Sequence, residues 1–449
     1  MADFFAPLAW VGGTWRRDVL LRVDASGHWA EVRADATADS AHAQKLPGPV
    51  LPGLVDAHSH AFQRAIAGLT ERSENADDDF WSWRERMYAA ALRITPEQME
   101  AVAAFLYAEL LQAGYTQVCE FHYLHNDVDG RPYADAAEMS MALLRAAQRV
   151  GIGLTLLPTL YMRAGFGAKD LRENQRRFAS TPESILALSK QVRGQGGSLL
   201  TAGVAIHSLR AVDEVALNEL VRAAEGPVHI HISEQVQEVD DCVARHGKRP
   251  IEFLLSQATV DERWNLVHAT HASAPELAAL RHTGASIVLC PGTEANLGDG
   301  VFDLRTWLGA SGRWSIGSDS HVTRRWTEEL RLLEYSQRFA LRQRNVAARA
   351  AFTASTAGAL FDGALEGGSA AAGLPLGGLA VGQRADFLVI DREAAALLGI
   401  ADEHVLDALV FSSPEAMPRE VYVAGRKAAL PDGALREGFA RAMRALWAA

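Results

Sequence analysis

From residue 50 to residue 318 the chain repeats one pattern: a short apolar run, then a longer stretch with helical spacing. No other feature constrains the fold as much, because strands that alternate with helices build parallel sheets joined by crossover helices. Eight runs read as strands, at 50–56, 116–121, 152–160, 202–207, 227–232, 265–268, 286–290 and 314–318. Eight strand–helix units over roughly 300 residues predict an α/β fold, a (β/α)8 TIM barrel. The clearest helix start is Thr95-Pro96-Glu97-Gln98, where Thr95 can cap, Pro96 suits the first turn and Gln98 can complete a capping box. Gly114 is the natural stop for that helix.

The two ends of the chain read differently. Residues 1–50 and the stretch from about 365 to 430 hold short apolar strands between glycine-rich turns, and 438–449 reads as a helix. The expected organisation is a barrel over 51–364 and a small β-sandwich domain formed from both chain ends, 1–50 and 365–449. At 449 residues and 49% hydrophobic, the chain can bury a large core. A net charge of −11 argues against a nucleic-acid surface, which needs a dense basic face. No run approaches the ~18 apolar residues of a membrane span. The N-terminus lacks signal-peptide marks, and Cys119, Cys242 and Cys290 are too scattered for a zinc ribbon or a disulfide framework. A cytoplasmic enzyme with reduced thiols is expected.

The chemistry-bearing residues sit where strands run out. Asp56-Ala57-His58-Ser59-His60 ends the first strand, and the i, i+2 spacing points His58 and His60 to one side. The fifth strand ends His229-Ile230-His231-Ile232-Ser233-Glu234, the sixth ends at His268, and the eighth leads into Ser318-Asp319-Ser320-His321. Barrel enzymes keep their chemistry at this rim, and imidazoles with a carboxylate are zinc ligands. The long segment 61–94 after the first strand carries Trp81, Trp83, Arg84 and Arg86, and such a loop is a usual place for substrate-binding groups.

Together these motifs resemble the amidohydrolase superfamily, as do Pro52-Gly53-Leu54-Val55-Asp56 before the first pair and Val381-Gly382-Gln383-Arg384-Ala385-Asp386-Phe387 near the end. The resemblance implies one divalent ion, zinc by expectation, held by His58, His60, His231 and Asp319. The bridging lysine of two-metal members is absent from the end of the fourth strand, which reads Ala205-Ile206-His207-Ser208-Leu209-Arg210. His231 to Glu234 repeats the His-x-x-Glu spacing of the deaminase branch. By that resemblance Glu234 carries protons, while His268 and Asp319 orient the attacking water and take its proton. His229 is read as structural.

Further pieces resemble members that remove ammonia from a small linear amidine: His60-Ala61-Phe62-Gln63-Arg64, Trp81-Ser82-Trp83-Arg84-Glu85, Phe121-His122-Tyr123 and His207-Ser208-Leu209-Arg210. They imply substrate contacts from Gln63, Arg84, Tyr123, His207 and Arg210, and a homodimer in which Arg84 serves its own or a neighbouring pocket. Two arginines suit a small dicarboxylate substrate, because a guanidinium pairs with a carboxylate through two hydrogen bonds. The aromatics Phe80, Trp81 and Trp83 leave open a deaminase of an aromatic base such as guanine or cytosine. A barrel scaffold without catalysis is the remaining alternative, and retention of the ligand set and Glu234 weighs against it.

Overall fold

The computed structural model describes residues 2–72, 80–412, 416–429 and 432–448; the side chains of 38–40 and 80–82 are outside this description, so the Phe80 and Trp81 rings lie outside the described residues. Eight parallel strands follow one another around a barrel with helices between them: β1 Leu54–Ser59, β2 Tyr115–His122, β3 Gly153–Leu160, β4 Val204–Ile206, β5 Val228–Ile232, β6 Trp264–His268, β7 Ser286–Leu289 and β8 Trp314–Ile316. The ring closes just beyond β8, where the Asp319 backbone N–H donates to His58 O at 2.9 Å and the His60 N–H donates to Asp319 O at 3.2 Å. All eight strands are buried along their length, as expected when helices cover the outside and side chains fill the inside.

The first strand departs from expectation. The run 50–56 is two elements, because Val50–Pro52 leaves the barrel and pairs antiparallel with Phe387–Ile390. Both chain ends meet in one eight-stranded sheet, ordered Arg426–Lys427, Pro418–Val423, Phe387–Ile390, Val50–Pro52, Ala2–Val11, Thr14–Val23 and Trp29–Arg33, with Gln44–Lys45 on Ala2–Val11. Its own core gathers Phe4, Leu21, Trp29, Phe387 and Tyr422. Buried Arg384 ties this sheet to the barrel, donating to Asp386, to Gln117 Oε1 at 2.9 Å and to Thr116 O. The C-terminal helix spans Gly433–Trp447, starting earlier than its sequence suggested. It lies against helix Pro96–Ala113, with Phe439 stacked on Phe105 at 4.6 Å, and Trp447 Nε1 donates to Ala65 O.

Helix Pro96–Ala113 begins and ends as its sequence dictates. Thr95 accepts from the Gln98 N–H, the Gln98 side chain accepts from the Thr95 N–H, and Gly114 takes the left-handed stop at φ 107°. Thr95→Ala should lower stability by about 1 kcal/mol, read from the midpoint of urea unfolding at unchanged m-value. Among the described residues no helix is long and apolar enough to cross a membrane.

Candidate active site

The side chains singled out in the sequence converge on one rim of the barrel. Besides a group at His268–Cys290–Glu294, donor atoms among the described residues form two overlapping groups, His58–His60–Asp319 and His58–His231–His268, with the atoms of each group within 4.8 Å of one another. His58 is the shared member. Its Nε2 lies 3.0 Å from His231 Nε2 and 3.6 Å from Asp319 Oδ1, and His60 Nε2 lies 3.5 Å from the same carboxylate oxygen. Gly317 makes the crossing possible, since a Cβ there would sit 2.6 Å from His58 Cβ and 2.8 Å from its backbone nitrogen.

Backbone strain aims these groups. Ser233, His268, Ala269 and Asp319 all adopt left-handed φ values, 53°, 70°, 51° and 49°, although none is glycine. Such conformations cost about 1–3 kcal/mol each and persist where surrounding structure enforces them. One enforcing contact is Asp56, whose carboxylate accepts from the Ser318 N–H at 2.8 Å and the Ser318 hydroxyl at 2.5 Å, across 262 positions of chain. Another is Glu120, which accepts from the Ser59 hydroxyl, the Ala61 N–H and the Tyr107 hydroxyl and so frames the turn that follows His60. Burial lifts Asp56 to about 7 and Glu120 to about 8.

The protonation pattern suits a cation. His60 Nδ1 donates to Phe121 O at 2.8 Å, and His231 Nδ1 donates to His207 O at 2.9 Å. A carbonyl can only accept, so both rings carry their proton on Nδ1 and present a bare Nε2 to the cluster. His58 Nδ1 has no hydrogen-bond partner among the described residues. Burial first, then the neighbouring imidazoles, holds His58 and His231 well below the usual histidine range, and burial takes His60 down to about 3. Burial also lifts the Asp319 carboxyl to about 7. Neutral imidazoles crowded around a buried carboxylate fit a divalent ion, which would share their lone pairs and pair with the carboxylate.

His268 stands between carboxylates. Its Nε2 is 3.8 Å from both Glu234 Oε1 and Asp319 Oδ2, and its Nδ1 is 3.2 Å from Glu294 Oε1. Burial opposes its charging, but Glu234, Glu294 and Asp319 overcome that and raise it to about 10 in the protein alone. His229 is apart from the cluster, bonded through Nε2 to Ala371 O.

One cavity is lined by His60, His231, His268 and Asp319 and by every residue named from the sequence as a substrate contact: Gln63, Arg84, Tyr123, His207 and Arg210. Arg84 comes from helix Phe80–Ala91 of the same chain and lies over the Tyr88 ring, 5.2 Å from its centroid. Gln63 Nε2 donates to Tyr123 Oη at 3.0 Å. Arg210 stands in the turn Leu209–Ala211, with a guanidinium nitrogen 3.5 Å from buried Glu238. The sequence did not announce Tyr88, Tyr161, Phe178 and Glu294. Three of them lie in segments with no motif, and Glu294 follows β7, a strand end that carries no His-x-His or His-x-x-Glu spacing.

Comparison with known proteins places the chain in a family. Residues 50–428 match the Amidohydrolase family. The formimidoylglutamate deiminase of Pseudomonas aeruginosa is 48% identical over 432 residues, covering 95% of this chain and 94% of that protein. The crystal structure of an amidohydrolase from Brucella melitensis is 43% identical, covers 100% of both chains and superposes with a TM-score of 0.93. An adenosine deaminase from Xanthomonas campestris, solved with bound zinc, shares the fold at 21% identity, covering 98% of both chains with a TM-score of 0.79.

Proposed function

The chain belongs to the amidohydrolase family and is one of its hydrolases, and from that premise we propose that it hydrolyses N-formimino-L-glutamate to N-formyl-L-glutamate and ammonia, a step of histidine breakdown. The carrying observation is that one cavity joins two arginines, Arg84 and Arg210, to His60, His231 and Asp319 of the cluster and to Glu234. A small dicarboxylate with an amidine at one end has the charges this cavity complements. The relative from P. aeruginosa, named for that reaction, supports the choice.

His58, His60, His231 and Asp319 would hold the ion, and imidazoles with one carboxylate favour zinc. When bound, a divalent ion there supplies Lewis acidity that brings the pKa of water towards about 7. The chain's own groups direct the rest. Asp319 and His268, 3.8 Å apart, orient the water, and Asp319 takes its proton as oxygen bonds to the formimino carbon and the C=N π pair moves to the terminal nitrogen. Glu234, 3.8 Å from the same His268 Nε2, pairs as a carboxylate with the amidinium, then takes the proton of the newly formed hydroxyl and delivers it to the terminal nitrogen. The carbon–nitrogen bond breaks, the nitrogen leaves as ammonia, and the oxygen from water remains as the formyl oxygen. Phe121, its ring centroid 4.3 Å from that of His231, supplies an apolar face beside the cluster.

The test is a panel assay for released ammonia. Turnover of N-formimino-L-glutamate with equimolar N-formyl-L-glutamate is expected. The aromatic wall of the cavity, with Trp83, Tyr88, Tyr123 and Tyr161, favours a second reading, deamination of a flat base. Release of ammonia from guanine or cytosine, with none from N-formimino-L-glutamate, would replace the first reading by the second. Arg84→Ala and Arg210→Ala should each raise KM by about 10–100-fold, the loss of a charged hydrogen bond worth about 1.5–3 kcal/mol. Normal KM in both variants would place the substrate carboxylates elsewhere.

A further inference from the structure

Behind the cavity wall lies a hydrogen-bond array that the reaction steps above do not use. Gln175, fully buried in the short turn Glu173–Phe178, donates from Nε2 to Tyr88 Oη at 3.0 Å and to Tyr161 Oη at 2.9 Å. The amide cannot be turned around. Its Oε1 accepts from the Arg172 backbone N–H at 3.0 Å, and a backbone N–H can only donate. An amide nitrogen has two hydrogens, so the two tyrosines use both, and each phenol oxygen is an acceptor here. Each phenol still has one proton to place. Among the described residues neither proton has an acceptor other than the second phenol, so at least one O–H of the pair is left for the cavity that both rings line.

Two guanidiniums flank the pair, and one of them, Arg210, also lies 3.5 Å from buried Glu238. The Arg84 guanidinium covers the Tyr88 ring. Burial lifts the Tyr161 phenol well above its usual range, and Arg84 and Arg210 both act on it in the opposite sense. Both arginines line the same cavity as the two tyrosines. Two guanidiniums and a phenol proton are all donors. Such a site takes an anion, and a carboxylate has enough lone pairs to meet all three.

We propose that Gln175 is a positioning residue for substrate selection: by fixing both tyrosine oxygens as acceptors, it turns a phenol proton of the Tyr88–Tyr161 pair towards a substrate carboxylate between Arg84 and Arg210. This inference rests on the dicarboxylate reading above. Removing the proton should weaken binding without touching the reacting centre. In the Tyr88→Phe/Tyr161→Phe double variant, which loses the donor whichever ring supplies it, KM for N-formimino-L-glutamate rises about tenfold or more, and kcat stays within about threefold. The Kd for the product N-formyl-L-glutamate, measured by calorimetry, rises in step. Gln175→Glu keeps an acceptor for the Arg172 N–H but draws the phenol protons inward, and gives the same split.

Unchanged KM and Kd in the double variant would overturn the proposal, as would a kcat that falls as far as KM rises together with a lowered Tm. A wild-type enzyme that neither turns over N-formimino-L-glutamate nor binds N-formyl-L-glutamate would instead overturn the substrate reading, and the proposal with it. The wild-type arm thus separates the two failures.

Discussion

Glu234→Gln lowers kcat by about 10²–10⁴-fold and leaves the metal content of the enzyme near that of the wild type, since that range is the typical worth of a placed proton carrier. Glu234 belongs to none of the metal-capable groups of the site, and its carboxylate faces His268 at 3.8 Å. It is placed by backbone rather than by chance. The left-handed Ser233 turns the chain out of β5, and the Glu234 N–H donates to Glu238 Oε2 at 3.2 Å, so the residue is held just past the end of the strand that carries His231. Glutamine keeps the shape and the backbone contact but cannot take or give a proton, nor pair with an amidinium. The measurements are single-turnover rates and elemental analysis on the same preparation. A kcat within about threefold of wild type, with metal retained, would remove Glu234 from the mechanism.

His58→Ala should cost more than 10²-fold in metal affinity, and activity with it, because loss of a partner one shell further out already costs about 10–100-fold. His58 is the member shared by both donor groups, in contact range of His231 and Asp319 at once. His229 is the matched control. It is equally buried and comes from the same strand as His231, but it bonds to Ala371 O and joins no donor group. His229→Gln should therefore keep the ion. Equal metal content in His58→Ala and His229→Gln, by titration with zinc against a chromophoric chelator, would contradict the assignment of His58.

The barrel was legible because its strands are buried on both faces and so appear as continuous apolar runs, and because period two puts His58 and His60 on one side. The end of β1 was less so. Residues 50–52 are as apolar as 54–56, and only the pairing with Phe387–Ile390 shows that the chain changes sheets at Gly53. The contacts that stiffen the site were not legible at all. Asp56 meets Ser318, and Glu120 meets Ser59, through tertiary closure, for which local pattern holds no record. The left-handed turns at Ser233 and Ala269 run against residue preference, as strained sites do, so propensity could not have announced them. Gln175 lies in a loop with no periodicity, and its importance comes from two tyrosines 87 and 14 positions away. The two arginines were singled out by family resemblance; what the fold adds is that Arg84 and Arg210 share one cavity and that Glu238 lies beside the second.

The central claim is that His58, His60, His231 and Asp319 hold one ion. The most direct measurement is anomalous diffraction at the zinc edge from crystals of the enzyme loaded with zinc. The account predicts one peak per chain, with imidazole nitrogens and a carboxylate oxygen of these four residues at about 2.0–2.2 Å. A peak bound by other side chains, or no peak in enzyme that turns over substrate, would contradict it.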